Sequence, residues 1–367
     1  MFFLILSAFI VIILLTTPNQ NLNRSLNRAK KVKEDEFYTQ LSDIEHELNH
    51  YWAHFKGKTV LCNCDDPYES NFFKFFVLSF NRLQLKKLIC TCYNGSPIHG
   101  SEFRLDLEGE SQKSRTAHCV EITEMKDLNG DGAVDLTDVQ LLIQKNRGIA
   151  TKLKTGDFRD EECIELLKEA DIVVTNPPFS LFREYIAQLI EYDKKFVVIG
   201  SLNAITYSEI FPLIMHNKIW LGYGFRAGNA YFKIPVYKEN AYANGVYNEN
   251  SGLVKFRNCA WFTNLDIAKR KEILDLICHY SPEDYPHYDN YDAIEVSRVA
   301  NIPKDYDGVM GVPITFLDKY NPDQFEILGI TEKDTQLAWL WKGGCEKYDR
   351  PYLNGKRKFS RILIRKK

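Results

Sequence analysis

Net charge is nearly absent from this sequence. Its 47 lysines and arginines meet 49 aspartates and glutamates, a formal balance of −2 over 367 residues. No global field therefore draws a polyanion, and any nucleic-acid surface has to be a local patch. No internal repeat or low-complexity tract stands out, and 45% apolar against 26% charged residues excludes a disordered chain, a collagen and a coiled coil. A disulfide scaffold is missing too: nine cysteines, an odd number spread along the chain, read as reduced, intracellular thiols. Cys62/Cys64 and Cys90/Cys92 form two C-x-C pairs. That spacing puts both side chains on one face of a strand, inside apolar runs, whereas zinc sites more often use C-x-x-C in turns. Buried core thiols are the expectation.

Aromatic side chains are plentiful, with 23 Phe, 20 Tyr and 5 Trp, enough for a large core and some exposed stacking surface. The length gives two or three domains' worth of chain at about 150 residues each. One long apolar run exists, Met1–Leu15. It is shorter than the roughly 20 residues of a bilayer span, and it lacks the positive start and small-residue cleavage site of a signal peptide. Arg24, Arg28, Lys30, Lys31 and Lys33 follow, with no acid until Glu34. Residues 1–18 are expected to be a membrane anchor or a start-site extension, and 19–34 a basic linker. For an anchor the positive-inside rule keeps the rest in the cytoplasm, and a start-site extension leaves it there too.

Beyond the leader, short apolar runs alternate with helical patterns. Thr59–Asn63, Lys87–Cys92, Asp171–Thr175, Lys195–Ser201 and Lys218–Leu221 read as buried strands. Ser70–Leu83, with Phe at helical spacing, and Leu181–Glu191 read as helices. Phe103–Leu107 and His118–Ile122 are expected to pair as a hairpin. Alternation of this kind implies an α/β fold with a doubly wound, mostly parallel sheet, whose ligands lie beyond the carboxyl ends of the strands. From Tyr223 onward the pattern becomes loop-rich.

The segment with chemical content is Asn176-Pro177-Pro178-Phe179, directly after a strand and before a helix. Two prolines stiffen the loop and remove two backbone donors. The Asn176 amide oxygen and the Pro177 carbonyl can accept both hydrogens of one exocyclic amino group, while Phe179 offers a stacking face. An aromatic amine is a poor nucleophile because its lone pair is delocalised. Two acceptors on its hydrogens pull the nitrogen towards tetrahedral geometry and free that pair. Taken alone, the segment is also an ordinary proline-containing helix start.

With its companions it resembles a known family. Thr175–Phe179 matches the catalytic motif of amino-group methyltransferases that use S-adenosylmethionine. Asp35–Thr39, Cys62–Pro67 and Gly156–Arg159, in that order, resemble the EcoRI-type adenine-specific DNA methyltransferases. The likeness continues through Gly200–Tyr207, Ile219–Gly224, Asp307–Asp318 and Gly355–Arg365. It implies that Tyr38 and Thr39 border the methionine part of the cofactor. Asp65 or Asp66 would meet its ammonium or cradle its backbone, with Asn63 beside them where the chain approaches the cofactor. Asp157 would accept from the cofactor's adenine amino group, with Phe158 packed on that ring. Asn176 and Pro177, stiffened by Pro178, would hold the target amine, and Phe179 would stack on the flipped base. Two departures stand out. Asn63-Cys64-Asp65-Asp66 replaces the usual Gly-x-Gly loop, and the second strand ends Thr91-Cys92-Tyr93-Asn94 without a carboxylate for the ribose hydroxyls.

Two further segments carry expectations. Asp127–Asp138 fits a calcium loop of the EF-hand or dockerin kind: oxygen ligands at Asp127, Asn129 and Asp131, a backbone carbonyl at Ala133, and an acid at Asp138. One structural calcium ion is expected there, against the alternative of an acidic turn capping a helix through Asp135 or Thr137. Residues 351–367 contain Lys356, Arg357, Lys358, Arg361, Arg365, Lys366 and Lys367 and no acid. They are read as a strand with a basic face towards DNA, against a solvated tail. Tyr285–Tyr291 is read as a packed loop.

The expectation is a site-specific DNA adenine N6-methyltransferase, the modification half of a restriction–modification system. Its core would span 35–222 with the 127–138 loop inserted, and its DNA-recognition region 223–367. Double-stranded DNA, a cognate restriction endonuclease and membrane contact through residues 1–15 alone are the partners implied. Cytosine N4, an RNA base or a glutamine remain as alternative substrates. An inactive membrane-tethered calcium-binding protein is the alternative of another class.

Overall fold

The computed structural model describes residues 38–64, 70–92, 117–132, 134–135, 137–138, 141, 150–233, 247–248, 251–332, 335–342 and 350–367. The apolar leader, Asp65 and Asp66, the 103–107 partner of the expected hairpin, and Ala133 lie outside them. Among the described residues no helix is long and apolar enough to cross a membrane.

An eight-stranded mixed sheet forms the centre. Its middle is parallel: β3 (Lys87–Cys92), β2 (Thr59–Cys62), β6 (Ile172–Thr175) and β7 (Lys195–Ser201), in that spatial order. These are the apolar, β-branched runs of the sequence, and successive side chains serve opposite faces. Val60, Cys62, Leu88, Cys90, Ile172, Val174, Val197 and Ile199 enter one core, with Phe72, Phe73, Phe76 and Phe80 of helix α3 (Asn71–Leu83). Leu61, Ile89, Val173, Phe196 and Val198 enter the other, with Leu167 of α4 (Glu161–Glu169) and Phe182, Tyr185, Ile186 and Leu189 of α5 (Phe182–Glu191). Helices therefore cover both faces. Ser70 caps α3, its hydroxyl accepting the Phe72 and Phe73 N–H groups at 3.1 and 3.4 Å. The thiols of Cys62 and Cys90 are buried, on residues paired in register across β2 and β3.

Both sheet edges are antiparallel. β4 (His118–Ile122) pairs with β3, and β5 (Ala150–Lys152) with β4. At the other edge β12 (Cys259–Thr263) lies between β7 and β8 (Trp220–Leu221). The fifth strand expected at 218–221 thus shrinks to two residues and does not touch β7, because a strand from far along the chain takes that place.

Two smaller sheets follow. β1 (Tyr38–Thr39), β9 (Ala230–Lys233), β11 (Leu253–Phe256) and β10 (Tyr247–Asn248) form one, beside α1 (Leu41–Leu48) and α2 (Trp52–Phe55). β13 (Ile294–Glu295), β14 (Met310–Val312), β18 (Ile362–Lys366) and β15 (Phe325–Ile330) form the other. Ile294, Met310, Ile362 and Ile364 of this last sheet share a core with Phe182 of α5 and Ile214 of α6 (Phe211–Met215), so it packs on the α4/α5 face. Tyr285, Tyr288 and Tyr291 are buried, as a packed loop requires. A hairpin of β16 (Tyr352–Leu353) and β17 (Lys356–Arg357) stands beside that loop, and the Asp289 carboxylate accepts the N–H groups of its turn residues Asn354 and Gly355 at 3.2 and 2.7 Å.

Candidate active site

Strand order reverses between β2 and β6: β3, which follows β2 in the chain, lies on one side of it and β6 on the other. Such a reversal opens a crevice beyond the carboxyl ends, where open α/β sheets bind ligands. β2 runs out into Asn63, 3% exposed, and Cys64, whose φ of +67° turns the chain sharply off the sheet where a Gly-x-Gly loop is missing. β6 runs out into Asn176. The two ends are tied together, since the Thr175 hydroxyl donates to the Asn63 carbonyl and the Tyr185 hydroxyl of α5 donates to Asn63 Oδ1.

Thr39, buried in β1, closes the crevice from a third side. Asn71 Nδ2 donates to its carbonyl at 2.7 Å, and Asn176 Nδ2 to its Oγ1 at 3.4 Å. Tyr38 stands next to it in the strand, opposite Lys233. The Asp157-Phe158-Arg159 segment reaches the same place along α5. Phe158 is buried with its ring edge-on to Tyr185 at 5.1 Å, and its carbonyl accepts Gln188 Nε2 at 3.0 Å. Tyr185 and Gln188, three residues apart on one helix face, thus hold Asn63 and Phe158. In this arrangement the Phe158 ring packs on protein.

Asp157 accepts the Arg159 N–H at 3.0 Å and Nε at 2.9 Å on Oδ1, and Nη2 at 2.6 Å on Oδ2. Burial works to raise its pKa, but the Arg159 contacts outweigh burial and hold the carboxyl below its ordinary value. Arg159 also reaches Glu184 of α5 at 3.3 Å.

Pro177 and Pro178 are buried, and the Pro178 carbonyl accepts the Leu181 N–H at 2.9 Å, fixing the turn into α5. α5 lies close on β7 because residue 200 is glycine: a Cβ there would sit 2.4 Å from the Phe182 ring. Phe179 borders a cavity of about 350 Å³, lined also by Ser180, Arg183, Glu184, Tyr207 and Glu209.

The structure therefore gathers Thr39, Asn63, Phe158, Asn176 and Phe179 around the ends of β2 and β6. Sequence reasoning assigned no role to Tyr185, Arg159, Arg183 or Tyr207. For Tyr185 and Gln188 the signal was present, as two polar-tipped residues on the inner face of the helix after the NPPF segment.

The other candidate residues lie elsewhere. At 127–138 the carboxylates turn onto backbone amides. Asp127 accepts from Gly130 and Gly132 at 2.6 and 2.8 Å, and Asp138 from Leu128 and Asp135 at 2.6 and 2.9 Å. Asp135 Oδ1 accepts the Thr137 N–H at 2.7 Å, a helix-capping contact. Among the described residues no three His, Cys, Asp or Glu side chains converge as a metal site. In the basic segment, Lys356 and Arg357 are exposed and Lys358 half-buried on the hairpin. Arg361 differs from expectation: its side chain is 12% exposed and its guanidinium lies on Glu295, with Nη2–Oε1 at 2.6 Å and Nε–Oε2 at 3.2 Å. Ile362, Leu363 and Ile364 are all buried, so β18 is an interior strand and its basic face is confined to Arg365 and Lys366.

A family model described as adenine-specific methyltransferase EcoRI matches residues 25–367. The chain is 44% identical over 353 residues to the Type II methyltransferase M.EcoRI of Escherichia coli, covering 94% of this chain and 97% of that protein. It is 36% identical over 354 residues to M.MgeORF184P of Mycoplasma genitalium and 35% identical over 354 residues to M.MpnI of Mycoplasma pneumoniae. Both comparisons cover 93% of this chain and 98% of the relative, and both relatives carry the name Type II methyltransferase. No solved structure matches the chain.

Proposed function

The chain belongs to the EcoRI adenine-specific methyltransferase family, and from that premise we propose that it methylates N6 of an adenine extruded from double-stranded DNA, as the modification half of a restriction–modification system. The observation that carries the site is that the ends of β2 and β6, which lead into Asn63 and Asn176, are tied at the strand-order reversal by the Thr175 hydroxyl on the Asn63 carbonyl. We read the sheet as a doubly wound one of the S-adenosylmethionine-dependent type.

The residues at the crevice fit S-adenosylmethionine. Thr39 and Asn63, held in place by Asn71 and Tyr185, are neutral and polar, and Asp157 is a carboxylate that Arg159 holds below its ordinary pKa. Tyr38, Asp65, Asp66 and Phe158 complete the set in our assignment. β3 contributes no acid: its last residue, Cys92, contacts His118 Nδ1 at 3.2 Å, so a ribose grip has to come from another segment. When bound, the cofactor supplies a methyl group on a sulfonium.

The chain's own residues then act on the base. Leaving the stack costs a few kcal/mol, offset by pocket contacts. Asn176 and the Pro177 carbonyl accept the two amine hydrogens, Pro178 keeps that loop from yielding, and Phe179 stacks on the ring. No strong base is required, because the amine sheds its proton after gaining the methyl group. Lys356, Arg357 and Lys358 lie along a hairpin whose turn Asp289 holds, and they are suited to gripping phosphates. We assign recognition of DNA to 223–367 and catalysis to 35–222 with β12 joined to it. A DNA substrate places this work in the cytoplasm. A calcium ion has no part in the chemistry.

Incubation of the full chain with labelled S-adenosylmethionine and unmethylated duplex DNA tests the proposal. Label on N6-methyladenine is expected. Label on N4-methylcytosine, on RNA alone or on no nucleic acid overturns it.

A further inference from the structure

The cavity beside Phe179 has a second aromatic wall. Tyr207 stands in the turn between β7 and α6, and its carbonyl accepts the N–H groups of Ile210 and Phe211 at 3.1 and 2.9 Å, fixing its backbone. The Arg183 guanidinium lies 4.3 Å from the Tyr207 ring centroid, and Arg183 Nη1 is 3.5 Å from Glu209 Oε1. Phe179 comes from the loop after β6 and Tyr207 from the turn after β7, so neighbouring parallel strands deliver one ring each to the same cavity of about 350 Å³. We propose that the Tyr207 ring is the second stacking wall for the extruded adenine, opposite Phe179, with Arg183 and Glu209 as positioning residues for that ring.

The physical case rests on what an extruded purine lacks. Inside the helix each base is stacked on both faces, and a pocket with one aromatic wall restores half of that. Splayed-out bases stack on aromatic rings, and Tyr207 offers a second one, with the Arg183 guanidinium against its ring. The wall is built from a different element than the loop that holds the amine, so stacking and amine capture are separable by mutation. This inference rests on the proposed DNA adenine methylation.

The test compares Tyr207→Ala, Tyr207→Phe and Arg183→Ala in the full chain, with a duplex whose methylated adenine has first been mapped on DNA modified by the wild type. Tyr207→Ala is expected to lose about 10- to 100-fold in kcat/KM, with cofactor affinity unchanged. Tyr207→Phe keeps most of the activity, and Arg183→Ala shows a smaller loss of the same kind. The Tyr207→Ala defect shrinks when the target adenine sits opposite an abasic site, where extrusion costs less. Full activity of Tyr207→Ala overturns the proposal, as do equal damage from Tyr207→Phe, weakened cofactor binding, or a defect undiminished on the abasic duplex. A wild type that methylates no DNA adenine strikes at the underlying function instead, and the two failures are thereby distinct.

Discussion

Tyr223 donates its backbone N–H to the carboxylate of Glu47 at 2.9 Å, and that glutamate is fully buried. Gly224 donates to the same carboxylate at 2.8 Å and the Tyr51 hydroxyl at 2.7 Å. Glu47 on α1 thus holds the turn that leads from β8 towards β9, the partner of Thr39 in the crevice. Burial pushes its pKa from 4.5 up to about 7, against the opposing pull of Tyr51, the two amides and Lys269.

The sign of the resulting pH dependence follows from that elevation. Between about pH 4.5 and about pH 7 the folded protein keeps a proton on Glu47 that the unfolded chain has lost, so the stability contributed by this residue falls as pH rises through that window. Thermal melts of wild type and Glu47→Gln across pH 4–8 are expected to show the wild type losing ground to the variant up to about pH 7, then a constant difference. A difference flat throughout the window would mean the carboxyl titrates normally.

Asn176→Ala removes one of the two amine acceptors and leaves Asn63, Asp157 and Tyr185 in place. Methyl transfer is expected to fall by at least ~100-fold, the scale of losing one preorganised polar contact to the reacting group. Cofactor affinity by calorimetry should stay near the wild-type value. Lost cofactor binding would relocate Asn176 from the target base to the donor.

The basic segment divides into two classes. Arg361→Ala strands the buried Glu295 carboxylate, which also accepts the Tyr288 hydroxyl, and is expected to cost about 3–5 kcal/mol of stability in urea unfolding. Lys356→Ala and Arg357→Ala should leave the melt unchanged, weaken DNA binding and lower the salt slope of log K by about 1 each. An Arg361→Ala protein as stable as wild type would remove the structural role assigned to the pair.

At 127–138 the carboxylates are engaged with backbone N–H groups. A tight ion would raise the melting temperature on calcium addition by mass action. Calcium is expected to raise the melting temperature and a chelator to lower it, and Asp138→Ala lowers it further through its lost amide contacts. An unchanged melting temperature would leave the segment as an acidic turn that caps a helix through Asp135 or Thr137.

Sequence and structure agree most closely where one pattern decides the outcome. Lys87–Cys92 and Lys195–Ser201 are strands with the expected bounds, because their continuous apolar runs fit only a sheet buried on both faces. The phenylalanines of 71–83 with Ser70 before them make a helix for equally local reasons. Cys259–Thr263 has no such mark: Asn258 and Asn264 flank it without glycine or proline, and its place is set by pairing with β7, whose partner residues lie 58 to 66 positions earlier. Arg361 misled in the same way. Its charge pattern is local, while Glu295, 66 residues away, decides where the guanidinium goes. The NPPF loop was legible because its chemistry is contiguous, and Tyr207 was not, because only the fold brings it to Phe179.

The position of β12 has a bearing on protein engineering. Grafting a new recognition half onto this enzyme at residue 222 would strip β7 of its antiparallel neighbour and leave β8 with nothing to pair, exposing a raw sheet edge prone to aggregation. A chimera between relatives has to carry residues 259–263 with the catalytic half, so the workable seam lies after Thr263.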